Sequence, residues 1–161
     1  WLRGVIAFFD LPMSRNRPGP SVQAPLSFKG QPLSLSICYE IAYPHLVRSA
    51  AKEPMALMTI SNDTWFGDSI GPVQHLQIAQ MRALENGRSL LRVTNNGITA
   101  AIDHAGEITD VLPRNQQGVL QTELVLVSGD TPYHRFGYGM LGAILIFVFL
   151  LNIAASRWRS R

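Results

Sequence analysis

Residues 33–40 read LSLSICYE. Leu33, Leu35 and Ile37 alternate with Ser34 and Ser36, the period-two pattern of a strand with one face buried. The alternation stops at Cys38. Tyr39 and Glu40 then lead into a predicted helix that begins at Ile41 or Pro44 and ends near Ala51, with Leu46, Val47 and Ala50 as its apolar side. A thiol at such a strand-to-helix turn faces the free backbone N–H groups and the positive end of the helix dipole, which favour a thiolate and would also hold an oxyanion. The ordinary reading of the same residue is a small buried hydrophobe that closes a strand. Local sequence weighs the two evenly.

Around this unit the soluble part alternates strands and helices. Residues 25–28 and 33–37 flank Lys29-Gly30-Gln31 as a predicted hairpin, and residues 56–60, ALMTI, suit a strand buried on both faces. After a loop over residues 61–68, Gly71-Pro72 opens a helix that runs to about Gly87. Val73, Leu76, Ala79 or Gln80, Ala83 and Leu84 form its predicted inner face, with Gln74, Gln77, Arg82 and Glu85 outside. Residues 90–94 and 98–103 are predicted strands around Asn95-Asn96-Gly97, where asparagine tolerates a positive φ. His104-Ala105-Gly106-Glu107 turns the chain into a strand over 108–112, and residues 119–127 are expected to form a last strand. Residues 1–22, with Pro12, Pro18, Gly19 and Pro20, read as an irregular surface segment.

The apolar surplus has a different destination. Of 161 residues, 47% are hydrophobic and 16% charged. Residues 137–155, GYGMLGAILIFVFLLNIAA, carry no charge, and at about 1.5 Å per residue they cover roughly the hydrocarbon thickness of a bilayer. Arg157, Arg159 and Arg161 follow directly and account for the whole net charge of +3, leaving residues 1–156 balanced. Clustered basic residues beside a span stay on the cytoplasmic side, so residues 1–135 are expected outside the cytoplasm, 136–156 across the membrane and 157–161 as a cytoplasmic tail. A nucleic-acid-binding surface has no support in this charge balance. A lone cysteine closes no internal disulfide. The four histidines, His45, His75, His104 and His134, show no metal-ligand spacing, although His75 or His104 is a candidate base in a cysteine–histidine arrangement.

SICYE (36–40), SNDTWFG (61–67), GPVQH (71–75), RALE (82–85) and RVTNNGIT (92–99), in this order and before an apolar span, resemble the apolipoprotein N-acyltransferases. These are membrane-embedded members of the nitrilase superfamily. The resemblance implies an α/β fold, the C-terminal half of a nitrilase-like αββα sandwich followed by one transmembrane helix, in the bacterial inner membrane with the catalytic domain on the periplasmic side. It implies a two-step transfer in which a phospholipid, typically phosphatidylethanolamine, gives its acyl chain to a cysteine. The resulting thioester is then attacked by the α-amino group of a diacylglyceryl-cysteine apolipoprotein. No cofactor is implied. Cys38 matches the nucleophile, Tyr39 is expected to supply a backbone N–H to the oxyanion, and Glu40 to orient the site or the amine. Glu40 is equally well read as a carboxylate favoured at a helix start. Trp65 and Phe66 are expected to line the acyl or amine entrance, with core covering as their ordinary alternative.

One departure stands out. The family's general-base glutamate and oxyanion-stabilising lysine precede the cysteine, whereas here no glutamate precedes Glu40 and the single upstream lysine, Lys29, sits in a predicted hairpin tip. The chain is therefore expected to be the C-terminal part of such an enzyme and to lack turnover alone. Two other functions compete: a membrane-anchored amidase or nitrilase-type carbon–nitrogen hydrolase, and a membrane-anchored binding module without catalysis.

Overall fold

A computed structural model of the chain describes residues 19–20, 23–51 and 55–159. Most of the irregular segment expected over residues 1–22, and the end of the basic tail, lie outside them.

Six strands form one mixed sheet in sequence order: β1 (Leu26–Phe28), β2 (Gln31–Ile37), β3 (Ala56–Asn62), β4 (Leu90–Asn95), β5 (Thr99–Ile102) and β6 (Ile108–Leu112). The β1–β2 hairpin turns on Lys29 and Gly30, both at positive φ (52° and 79°), which keeps the strands twisted together. β2, β3 and β4 run parallel, joined by helical crossovers, and β5 and β6 return antiparallel. The crossover helices are α1 (Pro44–Ala50), preceded by a 3-10 turn over Cys38–Ala42, and α2 (Gly71–Asn86). Proline near the first turn starts α2. Gly87 in the left-handed region ends it, its N–H bonding back to the carbonyls of Ala83 and Leu84.

The helical layer covers one face of the sheet. Ile41, Val47 and Ala51 meet Leu76, Ala79 and Ala83 of α2 over Leu57, Leu90, Ala100 and Ile102. The inner faces differ from the expectation in two places. In β2 the buried residues are Ser34 and Ser36, while Leu33 and Leu35 are half-buried on the opposite face and Ile37 is exposed there. Leu33, Met58 and Leu91 on that opposite face border a cavity whose other wall is Leu124 and Leu126. Residues 119–127 therefore cross this face of the sheet without adding a strand to it. In α2, Val73 and Leu84 are exposed, and His75, Arg82 and Asn86 take inner positions beside Leu76, Ala79 and Ala83. Leu46 of α1 is likewise exposed.

The polar inner residues have partners that local periodicity does not reveal. Arg92, in the middle of β4, is fully buried and donates from Nη2 to Oδ2 of the equally buried Asp63 at 2.6 Å. His75 Nδ1 lies 3.0 Å from Oδ1 of the same carboxylate. Burial alone would push the Asp63 carboxyl up, but hydrogen bonds from His75 and Ser61 and the Arg92 charge together outweigh it and hold it below the usual range. Desolvation lowers Arg92, and its pairing with Asp63 opposes that shift. Gly97 closes over this pair, and a Cβ there would overlap the Asp63 carboxylate.

After the sheet, α3 (Pro132–Phe136) is capped by the Thr131 side chain, which accepts from the His134 N–H, and Gly137 at φ 58° breaks the helix. The helix α4 (Gly139–Arg159) follows. Its stretch Gly139–Trp158 has mean hydropathy 2.3, none of it is buried against the rest of the chain, and it is long and apolar enough to cross a membrane. It begins two residues after the apolar run opens at Gly137 because that glycine is the break.

Gly97 lies outside the left-handed region, so its requirement is one of space. Gly97→Ala is expected to lower stability by about 1–3 kcal/mol, read as a fall in unfolding temperature in detergent. Asp63 contributes its ionisation-linked stability in full above the unfolded-state carboxyl value, about pH 4, and loses it as pH falls through the lowered native value. Unfolding of the wild type should therefore become easier below about pH 4. Asp63→Asn should flatten that acid limb while costing about 3–5 kcal/mol at neutral pH, because Arg92 is left charged and unpaired.

Candidate functional site

Parallel strands deliver side chains to their C-terminal ends, and three such ends meet here. β2 ends into Cys38, β3 into Asn62 and the 3-10 turn Asp63–Phe66, and β4 into Asn95. Ile37 pairs with Ile60, so the register carried one residue further sets Cys38 beside Ser61.

Cys38 occupies the junction itself. Its φ is 53°, in the left-handed region where a non-glycine residue is strained by about 1 kcal/mol or more. That conformation turns the chain sharply from strand to 3-10 helix and leaves the thiol half-buried at the bend. The expected strand-to-helix turn is present, but its first helical piece is a five-residue 3-10 turn and α1 begins only at Pro44. Glu40 reaches back: its Oε2 accepts from the Ile37 N–H at 2.7 Å, so the carboxylate clamps the bend from the front. Tyr39 is exposed and sets its ring edge-on to Tyr43, with centroids 5.7 Å apart.

Behind the thiol, Ser61 Oγ lies 3.9 Å from Cys38 Sγ and 2.5 Å from Asp63 Oδ1. Ser61, Asp63 and Arg92 were not among the residues singled out from sequence. A signal for Arg92 existed: a charge inside the apolar run Leu90-Leu91-Arg92-Val93 of a central strand demands a buried partner. His75, weighed as a base for the thiol, spends Nδ1 on Asp63 and its ring face on Phe66, with centroids 5.9 Å apart. His104 is exposed in the β5–β6 turn, where Asp103 accepts from the N–H groups of Ala105 and Glu107.

The two aromatics of the 61–68 loop part company. Phe66 is half-buried between His75 and Gly71, where a Cβ would collide with its ring. Trp65 is 83% exposed. Phe66 thus packs the loop onto α2, while Trp65 is left exposed. Lys29 is remote: it sits at the opposite end of the seven-residue strand β2, on the order of 20 Å from Cys38 at about 3.3 Å per residue. The chemistry this geometry supports is nucleophilic, through a strained, accessible thiol with a hydroxyl and a buried ion pair behind it.

Similar proteins fit this picture. The chain is 50% identical over 153 residues to a Pseudomonas paraeruginosa protein named apolipoprotein N-acyltransferase, covering 92% of this chain and 30% of that protein. Proteins of the same name from Azotobacter vinelandii and Vibrio vulnificus are 50% and 43% identical over 99% of this chain, covering 30% and 31% of their lengths. The chain thus spans about 30% of the length of the curated relatives it matches. Among solved structures, a carbon–nitrogen hydrolase from Helicobacter pylori superposes with TM-score 0.55 at 16% identity, over 63% of this chain and 43% of that one. An amidase from a Nesterenkonia species superposes with TM-score 0.51 at 26% identity, over 80% and 51%. The fold is therefore the nitrilase-like α/β fold. The carbon-nitrogen hydrolase profile matches residues 7–130, well over half of the sequence, and the chain belongs to that family.

Proposed function

We propose that this chain carries the nucleophile of a lipoprotein N-acyltransferase. The observation that carries the reading is Cys38, held at φ 53° on the end of a parallel strand, in the same chain as a helix of membrane-spanning length. Similarity near 50% to proteins named for that activity supports it. Residues 1–135 act as the C-terminal part of a periplasmic nitrilase-like domain, residues 136–156 span the inner membrane and residues 157–161 remain cytoplasmic, following the basic flank.

The Cys38 thiolate attacks the ester carbonyl of a phospholipid, with phosphatidylethanolamine as the typical donor. The tetrahedral intermediate expels the lysophospholipid alkoxide, which takes up a proton, and the acyl chain remains on sulfur as a thioester. The free α-amino group of a diacylglyceryl-cysteine apolipoprotein then attacks the thioester carbonyl. The C–S bond breaks, the amine loses a proton, and an amide and a thiolate result. A covalent intermediate lets two bulky lipids use one site in turn. The Tyr39 backbone N–H serves the oxyanion, a donor of a kind worth about 3–4 kcal/mol. Glu40 holds the bend that aims the thiol, and Trp65 meets the apolar chain of the lipid. A general-base glutamate and an oxyanion lysine come from outside these residues, since no glutamate precedes Glu40 and Lys29 lies at the far end of β2.

In the intact membrane enzyme, Cys38→Ala is expected to abolish both lysophospholipid release and acylation of a lipopeptide amine. Mass spectrometry of the wild type given phospholipid alone should find an acyl adduct on Cys38. Normal lipoprotein maturation by the alanine variant would overturn the assignment, and hydrolysis of simple amides without lipopeptide acylation would favour an anchored hydrolase instead. The 161 residues alone should release no lysophospholipid from labelled phosphatidylethanolamine. Trp65→Ala should slow transfer about tenfold or more with little change in unfolding temperature, the opposite of the pattern for a packing residue.

A further inference from the structure

Behind Cys38 one hydroxyl stands between two acceptors. Ser61 Oγ is within reach of both Cys38 Sγ, at 3.9 Å, and Asp63 Oδ1, at 2.5 Å. A hydroxyl has one proton, and an ionised carboxylate only accepts. While the sulfur is a thiol or a thioester it is a weak acceptor, and the proton belongs to Asp63. When the sulfur is a thiolate it becomes a strong acceptor, and the hydroxyl stands between two anions.

Which anion wins depends on how well Asp63 is served by others. Arg92 Nη2 bonds Asp63 Oδ2 at 2.6 Å and His75 Nδ1 approaches Oδ1 at 3.0 Å, so the carboxylate keeps two partners if Ser61 turns away. Arg92 is fully buried, and among the described residues its Nε and Nη1 have no hydrogen-bond partner. The other polar groups around the bend are committed or exposed. Glu40 accepts from Ile37, Tyr39 edges against Tyr43, His45 also edges against Tyr43, and Arg48 donates to the His134 carbonyl.

We propose that Ser61 is a further catalytic residue, which rotates its single hydroxyl proton from Asp63 to the Cys38 sulfur whenever that sulfur is a thiolate, with Asp63 and Arg92 as the residues that position it. No proton leaves Ser61; one hydrogen bond is exchanged for another. The switch stabilises the thiolate before it attacks the donor and again when the amine expels it from the thioester. Its place in the reaction rests on Cys38 being the nucleophile, but the switch itself is a property of the thiol and can be read without turnover.

The test is alkylation of Cys38 by iodoacetamide in the intact, detergent-solubilised enzyme across pH 6–10. Ser61→Ala should slow alkylation about tenfold at neutral pH, and the gap to wild type should narrow as the pH rises. Ser61→Thr, which keeps the hydroxyl, should stay within about twofold of wild type throughout. A Ser61→Ala profile that superimposes on wild type, or a threonine variant as slow as alanine, would overturn the switch. Cys38→Ala that loses labelling but retains acyl transfer would instead overturn the nucleophile assignment, leaving the labelling profiles to judge Ser61.

Discussion

The buried pair of Asp63 and Arg92 is the constraint on which this end of the molecule depends. Taking both charges out of water costs several kcal/mol per ion before any attraction is counted, and a pair of that kind persists only when further bonds satisfy the carboxylate. Here the carboxylate has three partners: Arg92 from β4, His75 from α2 and Ser61 from β3. One carboxylate thus joins the end of β3 and the middle of β4 to the helix that connects them. Gly97, at the turn after β4, is small because the carboxylate occupies the volume its Cβ would need. The same cluster lies behind Cys38, with Ser61 Oγ 3.9 Å from its sulfur.

The strain at Cys38 follows from the same economy of position. A strand that continued straight would point its last side chain to one face of the sheet, into one of the layers that cover it. A left-handed residue at the junction instead folds the backbone away within one residue and leaves the thiol standing at the bend. Glu40 holds this geometry from the front by capping the Ile37 N–H, and Ile41 holds it from below as part of the core. The bend is thereby over-determined, which is the condition under which a strained residue persists.

Much of this was legible from local pattern. The β1–β2 hairpin, the strands from β3 to β6 and the helix that opens at Gly71-Pro72 all follow from alternation, turn residues and caps within a few positions of one another. The errors concern facing. Ser34 and Ser36 point to the helical layer and Leu33 and Leu35 away from it, because in a sheet with two covered faces alternation marks which residues share a side without saying which side meets which layer. Residues 119–127 have the composition of a strand but lie across a face already occupied by Leu33, Met58 and Leu91, where apolar contact and not pairing is on offer. The inner face of α2 holds His75 and Arg82, since their partners Asp63 and Glu85 make burial affordable. Asp63 itself carried no signal: one acidic residue in a polar loop looks the same whether it meets solvent or an arginine 29 residues away.

The approach to α4 is tied to the helical layer by side chains that bond backbone carbonyls. Arg48 of α1 donates to the His134 carbonyl, Thr131 to that of Glu85, and Arg88 to that of Gly129. Asp130 Oδ1 adds a hydrogen bond with His134 Nδ1 at 2.6 Å. Backbone carbonyls are fixed points, so these bonds set the position of the chain at Gly137 relative to α1 and α2, independent of how the apolar helix is solvated. α1 in turn follows directly from the turn that carries Cys38. On the acyl-transfer reading, the depth of the thiol relative to the bilayer is therefore set through a short path, from the bend through α1 and Arg48 to α3 and the membrane boundary. On that same reading, lipids that diffuse in the plane would meet the sulfur at a height fixed by those contacts, and the exposed Trp65, on the same end of the sheet, would offer apolar surface to a chain leaving the bilayer.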